Sequence, residues 1–118
     1  MRLYVWSWDQ GEPSLSSSSG CTAMSPSGRW VALDCQTKLP FACLTPSENE
    51  SVGYDLEWSV DLNQVGGWSE GTRVCMAASR SGRDVTFSAP HNGFSNAVLL
   101  NQAYGQTVWV NAPISFKK

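Results

Sequence analysis

The residues with the most chemical potential in this 118-residue chain are four cysteines, Cys21, Cys35, Cys43 and Cys75, spaced C-x13-C-x7-C-x31-C. A cysteine can ligate a metal, attack as a thiolate or close a disulfide. Structural zinc sites use C-x2-C pairs or Cys with His; no such pair is present and the single histidine is His91. A redox-active dithiol uses C-x-x-C, which is also missing. Two disulfides are the remaining chemistry, and these form in secreted, cell-surface or organelle-lumen compartments. Four cysteines allow three connectivities, and counting does not choose among them. The sequon Asn49-Glu50-Ser51 points to the same compartments.

Catalysis would need a nucleophile, a base and an orienting group within reach. His91 is the sole imidazole, and it sits in the turn-like run Pro90-His91-Asn92-Gly93. Gly66-Gly67 is a glycine pair before a helix, not a phosphate-binding G-x-G-x-x-G loop. No enzymatic activity is expected, and no cofactor and no metal. Net charge is -2, with eight basic and ten acidic side chains spread along the chain. That distribution leaves no electrostatic footprint for nucleic acid. No apolar run approaches the length of a membrane span, and residues 1–8 are too short an apolar stretch for a signal peptide. Charged residues are 15% of the chain against 42% apolar, with six Trp. A composition this apolar and weakly charged builds a packed core, and the length suits one domain.

The elements that position these residues read as α+β, with two helices, about six short strands and long loops. Residues 3–8 are aromatic and β-branched and read as a strand. Residues 9–20, with four serines in a row, read as a loop. Residues 21–35 form a hairpin around the turn Ser25-Pro26-Ser27-Gly28. Residues 39–44 form another strand, and 45–57 a polar, acidic linker. Residues 57–60 start a strand. A first helix over 68–79 places Trp68, Thr72, Cys75, Met76 and Ser79 on one apolar face. A short strand follows at 85–87. A second helix over 94–104 starts at a Ser95 cap, and Ala97, Leu100 and Tyr104 form its apolar face, with Phe94 and Val98 beside it. Gly105 caps its end. Residues 106–111 alternate as a strand.

Two stretches resemble the C-type lectin-like domain. Trp8-Asp9-Gln10-Gly11-Glu12-Pro13-Ser14 looks like that family's W-x-x-G-E-P-N segment. Cys21, Gly28-Arg29-Trp30, Cys35 and Pro40-Phe41-Ala42-Cys43 look like its closing C … G-x-W-x4-C-x7-C pattern. Residues 58–111 resemble its opening half: Trp58, a helix bearing Cys75, a second helix with Leu99-Leu100, and Val108-Trp109-Val110-Asn111 where the family has W-I-G-L. The halves stand in reversed order. The resemblance therefore implies a single C-type lectin-like domain in circularly permuted form, with 1–44 as closing half, 45–57 as linker and 58–118 as opening half. An offset piece of a tandem array, holding the end of one domain and the start of the next, fits the same motifs. Physics favours the permutant, because each half alone would be about 55 residues with an incomplete sheet and an unpaired cysteine.

The resemblance also implies the pairing Cys21–Cys35 and Cys43–Cys75, and core positions for Trp30, Trp58 and Trp109. In sugar-binding members of that family a calcium ion is held by the Glu and Asn of E-P-N, a nearby Glu, and the Asn-Asp of W-N-D. Here Glu12 is kept, Ser14 replaces Asn, and Val31 and Ala32 follow Trp30 where Asn and Asp belong. Asp34 lies two residues further along the strand, roughly 6–7 Å away. Calcium needs six to eight oxygens, several of them charged, so the site is expected to be lost. The implied function is binding or assembly, through contact with a protein partner in an extracellular or luminal complex. A calcium-independent carbohydrate-binding lectin is the alternative. The candidate binding residues are Trp6, Trp8, Asp9, Glu12 and Ser14: tryptophan suits a binding hot spot or a sugar face, and the carboxylates could orient a partner.

Overall fold

The structure is a computed structural model, and it describes residues 20–45, 57–79, 84–90 and 93–112. These form an α+β fold with two three-stranded antiparallel sheets, two helices and two disulfides. The strands are β1 (Gly20–Met24), β2 (Trp30–Asp34), β3 (Cys43–Leu44), β4 (Trp58–Ser59), β5 (Thr86–Phe87) and β6 (Val108–Trp109). The helices are α1 (Gly71–Met76), entered through a 3-10 turn at Trp68–Glu70, and α2 (Gly93–Ala103). Among the described residues no helix is long and apolar enough to cross a membrane.

β1 and β2 pair from Gly20↔Asp34 to Met24↔Trp30, as the hairpin pattern predicts. Its turn is closed by the Gly28 N–H on the Ser25 carbonyl at 2.8 Å and by the Ser25 N–H on the Arg29 carbonyl at 2.8 Å. Gly28 has φ +88°, the left-handed residue that a three-residue hairpin loop requires and that glycine adopts freely. The other edge of β1 pairs with β6 through Ala23↔Trp109 and Met24↔Val108. The second sheet has the order β4-β3-β5. Residues 39–44 do not run as one strand, because Pro40 lacks a ladder donor. They cross between the sheets instead: the Trp109 N–H reaches the Pro40 carbonyl at 2.8 Å and the Ala42 N–H reaches the Trp109 carbonyl at 2.9 Å.

The side-chain alternation of β1 and β6 builds two cores, one on each face of the sheet. Met24, Trp30, Val108 and Val110 face α2 and pack with Trp58, Leu99 and Ala103. Ala23 and Trp109 face the opposite way and pack with Phe41, Phe87 and the Cys43–Cys75 bridge. Trp30, Trp58 and Trp109 are buried at the expected core positions. The indole N–H of Trp30 donates to Asn96 Oδ1 (3.1 Å), that of Trp58 to Ser95 Oγ (2.9 Å), that of Trp68 to the Val110 carbonyl (3.0 Å), and that of Trp109 to the Gly66 carbonyl (2.9 Å). Buried indoles without such partners would each cost about 1–3 kcal/mol.

The disulfides are Cys21–Cys35 across the hairpin, with Cα atoms 5.1 Å apart, and Cys43–Cys75 from β3 to α1, 5.4 Å apart. The span 45–57 lies outside the described residues except at its ends, where the Thr45 N–H donates to the Glu57 carbonyl at 3.0 Å. It therefore connects the adjacent antiparallel strands β3 and β4.

Both helices differ from their sequence pattern in phase. α1 buries Gly71 and Cys75, while Thr72 and Met76 are exposed. Glycine scores as a poor core residue, yet Gly71 lies against the Phe87 ring. α2 buries Ser95, Asn96, Leu99 and Ala103, and leaves Phe94, Ala97 and Tyr104 exposed. Ser95 is not the cap of α2 but a buried acceptor within it, because the helix starts at Gly93.

Candidate functional site

Trp6, Trp8, Asp9, Glu12 and Ser14, the binding residues proposed from sequence, lie outside the described residues, as do His91 and Asn49. The strand that would complete a calcium site is described. Val31 packs toward the Trp109 core. Asp34 ends β2, and its Oδ1 accepts the Gln36 N–H at 2.9 Å while its carbonyl accepts the Thr37 N–H at 2.9 Å. This carboxylate shapes the turn that brings Cys35 to Cys21. Among the described residues no group of three or more His, Cys, Asp or Glu side chains could hold a metal ion.

The buried polar side chains serve the fold. Thr22 Oγ1 donates to the Ala112 carbonyl at 2.9 Å. Asn96 donates from Nδ2 to the Gly28 carbonyl at 2.7 Å while accepting from Trp30. Asn96 thus ties α2 to the hairpin turn and to the strand beyond it.

An open groove of about 490 Å³ lies between the second sheet and α1. Its size falls in the range of small-ligand and side-chain pockets. Phe41 and Cys43 supply the inner wall. Val74 and Ala78 come from α1 and the residues just after it, and Ser59, Val60, Asp61, Leu62 and Gln64 from β4 and the turn that follows. That turn is fixed by the Asn63 N–H on Asp61 Oδ1 (3.0 Å) and the Gln64 N–H on the Asp61 carbonyl (3.0 Å). Tyr104 completes the lining from the end of α2.

Tyr104 is 72% exposed and has φ +50°, the only positive φ at a non-glycine among the described residues. The next residue, Gly105, has φ +80°. A bulky residue in the left-handed region costs about 1–2 kcal/mol. Sequence periodicity assigned Tyr104 to the buried face of the second helix. Two signals in the sequence pointed elsewhere: Asn96 and Ser95 align with Leu99 and Ala103 at helical spacing, and Tyr104 stands directly before Gly105 at a helix end. The groove's other residues have no sequence signal, because they come from three separate segments.

Comparison with known protein families, with curated proteins and with solved structures finds no match for this chain.

Proposed function

We propose that the chain is a non-enzymatic binding or assembly module of C-type lectin-like type, circularly permuted, that contacts a protein partner in an extracellular or luminal complex. The observation that carries this reading is the combination of a twice disulfide-bonded scaffold with an open, mostly apolar groove lined by an exposed aromatic. The buried polar groups are spent on internal hydrogen bonds. An oxidising compartment is the natural setting for two structural disulfides.

Three further observations support the permuted arrangement. The Cys43–Cys75 bridge lies within one chain and ties the closing half to the opening half. β1 of the first half pairs with β6 of the second. The span 45–57 connects two antiparallel neighbours, which is what joining a fold's nearby termini requires. An offset array would leave Cys43 and Cys75 in different domains.

The loss of the calcium site is tested by thermal unfolding: millimolar calcium leaves the melting temperature unchanged, and a rise of several degrees refutes the loss. A glycan array, read with and without calcium, tests the choice of partner. Silence supports the protein-binding reading. A signal that disappears in Trp8→Ala overturns it in favour of a calcium-independent lectin. A non-reducing peptide map then tests the permutation, since a Cys43–Cys75 bridge between chains would point to swapping or an array.

A further inference from the structure

The groove beside Tyr104 has an unusual chemistry for an apolar cleft. Val60, Leu62, Val74 and Ala78 give it aliphatic walls over the Phe41 ring and the Cys43–Cys75 bridge, with Ser59 and Gln64 as neutral polar lining. One described lining residue carries a charge, and it is the carboxylate of Asp61. Asp61 is exposed and forms no ion pair with another described residue. Its held Asx turn keeps the carboxylate at the rim. Tyr104, at the rim, is an exposed aromatic that the backbone holds at a conformational cost. A glycine at that position would relieve the cost.

A mostly apolar cleft with one carboxylate and one exposed aromatic among its lining is complementary to a long side chain with a cationic head. The stem of Arg or Lys packs on apolar walls while its head stays near water. A guanidinium can then meet the carboxylate in a charge-assisted hydrogen bond and lie on an aromatic face. We propose that this groove receives a basic side chain, an arginine above all, from a protein partner. The inference deepens the protein-binding reading and rests on it for the existence of the partner, but the groove can be tested without one.

The probe is N-acetyl-arginine amide, titrated into the isotopically labelled full chain and followed by amide chemical shifts, with N-acetyl-citrulline amide as the neutral analogue. The expected result is a saturable perturbation confined to residues 59–64, 74–78 and 104, with affinity on the order of millimolar for a single side chain. Citrulline binds roughly tenfold more weakly, which is the loss of a charge-assisted contact. Asp61→Asn, which keeps an oxygen for the Asn63 N–H, abolishes the difference between the two probes. Tyr104→Gly folds at least as stably and binds several-fold more weakly. Absence of a saturable shift, equal binding of citrulline, or an unchanged preference in Asp61→Asn overturns the proposal. Arg80 and Arg83 lie just past Ala78 in sequence and outside the described residues. Binding that emerges only when both are replaced by Ala would make the chain's own arginine the occupant, and that also overturns it. These outcomes are separate from the glycan array: a Trp8-dependent glycan signal removes the protein-binding reading, whereas a silent groove removes only the basic side chain.

Discussion

Replacing Gly71 with Ala sets two physical effects against each other. Alanine is the better helix former, and at the start of α1 the change should gain about 0.5–1 kcal/mol from reduced unfolded-state freedom and propensity. The structure opposes this. A Cβ on Gly71 would press into Cδ2 and Cε2 of Phe87 and lie 2.7 Å from its Cγ. Phe87 has little room to retreat: it is 5% exposed, meets Phe41 edge-on at 5.8 Å and Trp68 at 5.4 Å. Restoring ordinary carbon–carbon contact means moving the ring or the helix by about 1 Å, and overpacking of this kind costs about 1–3 kcal/mol. The Cys43–Cys75 bridge holds α1 to β3 and resists the shift. The net expectation is a loss of about 1–2 kcal/mol, or a melting temperature lower by roughly 3–8 °C for a domain of this size. Thermal or urea unfolding with the disulfides intact measures it. Phe87→Leu in the same background should remove most of the cost of Gly71→Ala, with a coupling of about 1 kcal/mol. A melting temperature that rises in Gly71→Ala, or a cost that is the same with Leu at 87, would refute the reasoning.

The remaining expectations concern the core and the groove. Asn96→Leu removes both the Oδ1 that accepts from Trp30 and the Nδ2 that serves the Gly28 carbonyl; it should cost about 2–4 kcal/mol in urea unfolding, and adding Trp30→Phe should cost less than it does alone. Replacing Cys43 and Cys75 together by Ala should cost about 3.5–4 kcal/mol, and replacing Cys21 and Cys35 about 3 kcal/mol, from sequence separations of 32 and 14; a loss below about 1 kcal/mol for either pair would mean that the unfolded chain is already constrained there. Tyr104→Gly relieves about 1–2 kcal/mol of left-handed strain against about 0.5–1 kcal/mol of added unfolded-state freedom; its melting temperature should be unchanged or a few degrees higher, and a clear drop would show that the ring supports the fold.

Segments 20–45 and 57–112 do not behave as neighbouring halves. β1 lies between β2 of its own segment and β6 of the other. β3 lies between β4 and β5. Trp30 reports to Asn96 and Trp109 to Gly66. The β1–β6, β3–β4 and β3–β5 pairings and the Trp30–Asn96 bond therefore close the fold across the 45–57 connection, whose own ends are hydrogen-bonded, while the Trp109–Gly66 bond lies within the second segment. Neither segment has a sheet whose core it can cover alone.

What was legible in the sequence follows from period and punctuation. The β1–β2 hairpin was readable because its turn is Ser-Pro-Ser-Gly and its two ends carry cysteines, and α2 because Gly105 marks its end. The helix faces were not readable by hydrophobicity, because the buried positions of α2 include Ser95 and Asn96 and that of α1 includes Gly71. Those three residues are buried for reasons a hydropathy pattern does not weigh: two answer buried indole N–H groups, and one makes room for a ring. Once the core takes polar and small residues, the apolar ones it displaces move outward. Tyr104, 72% exposed at the groove, is the result. The tryptophans thus set which face of α2 is buried, through Ser95 and Asn96, and Tyr104, one residue past the helix and in the left-handed region, is turned out to the surface.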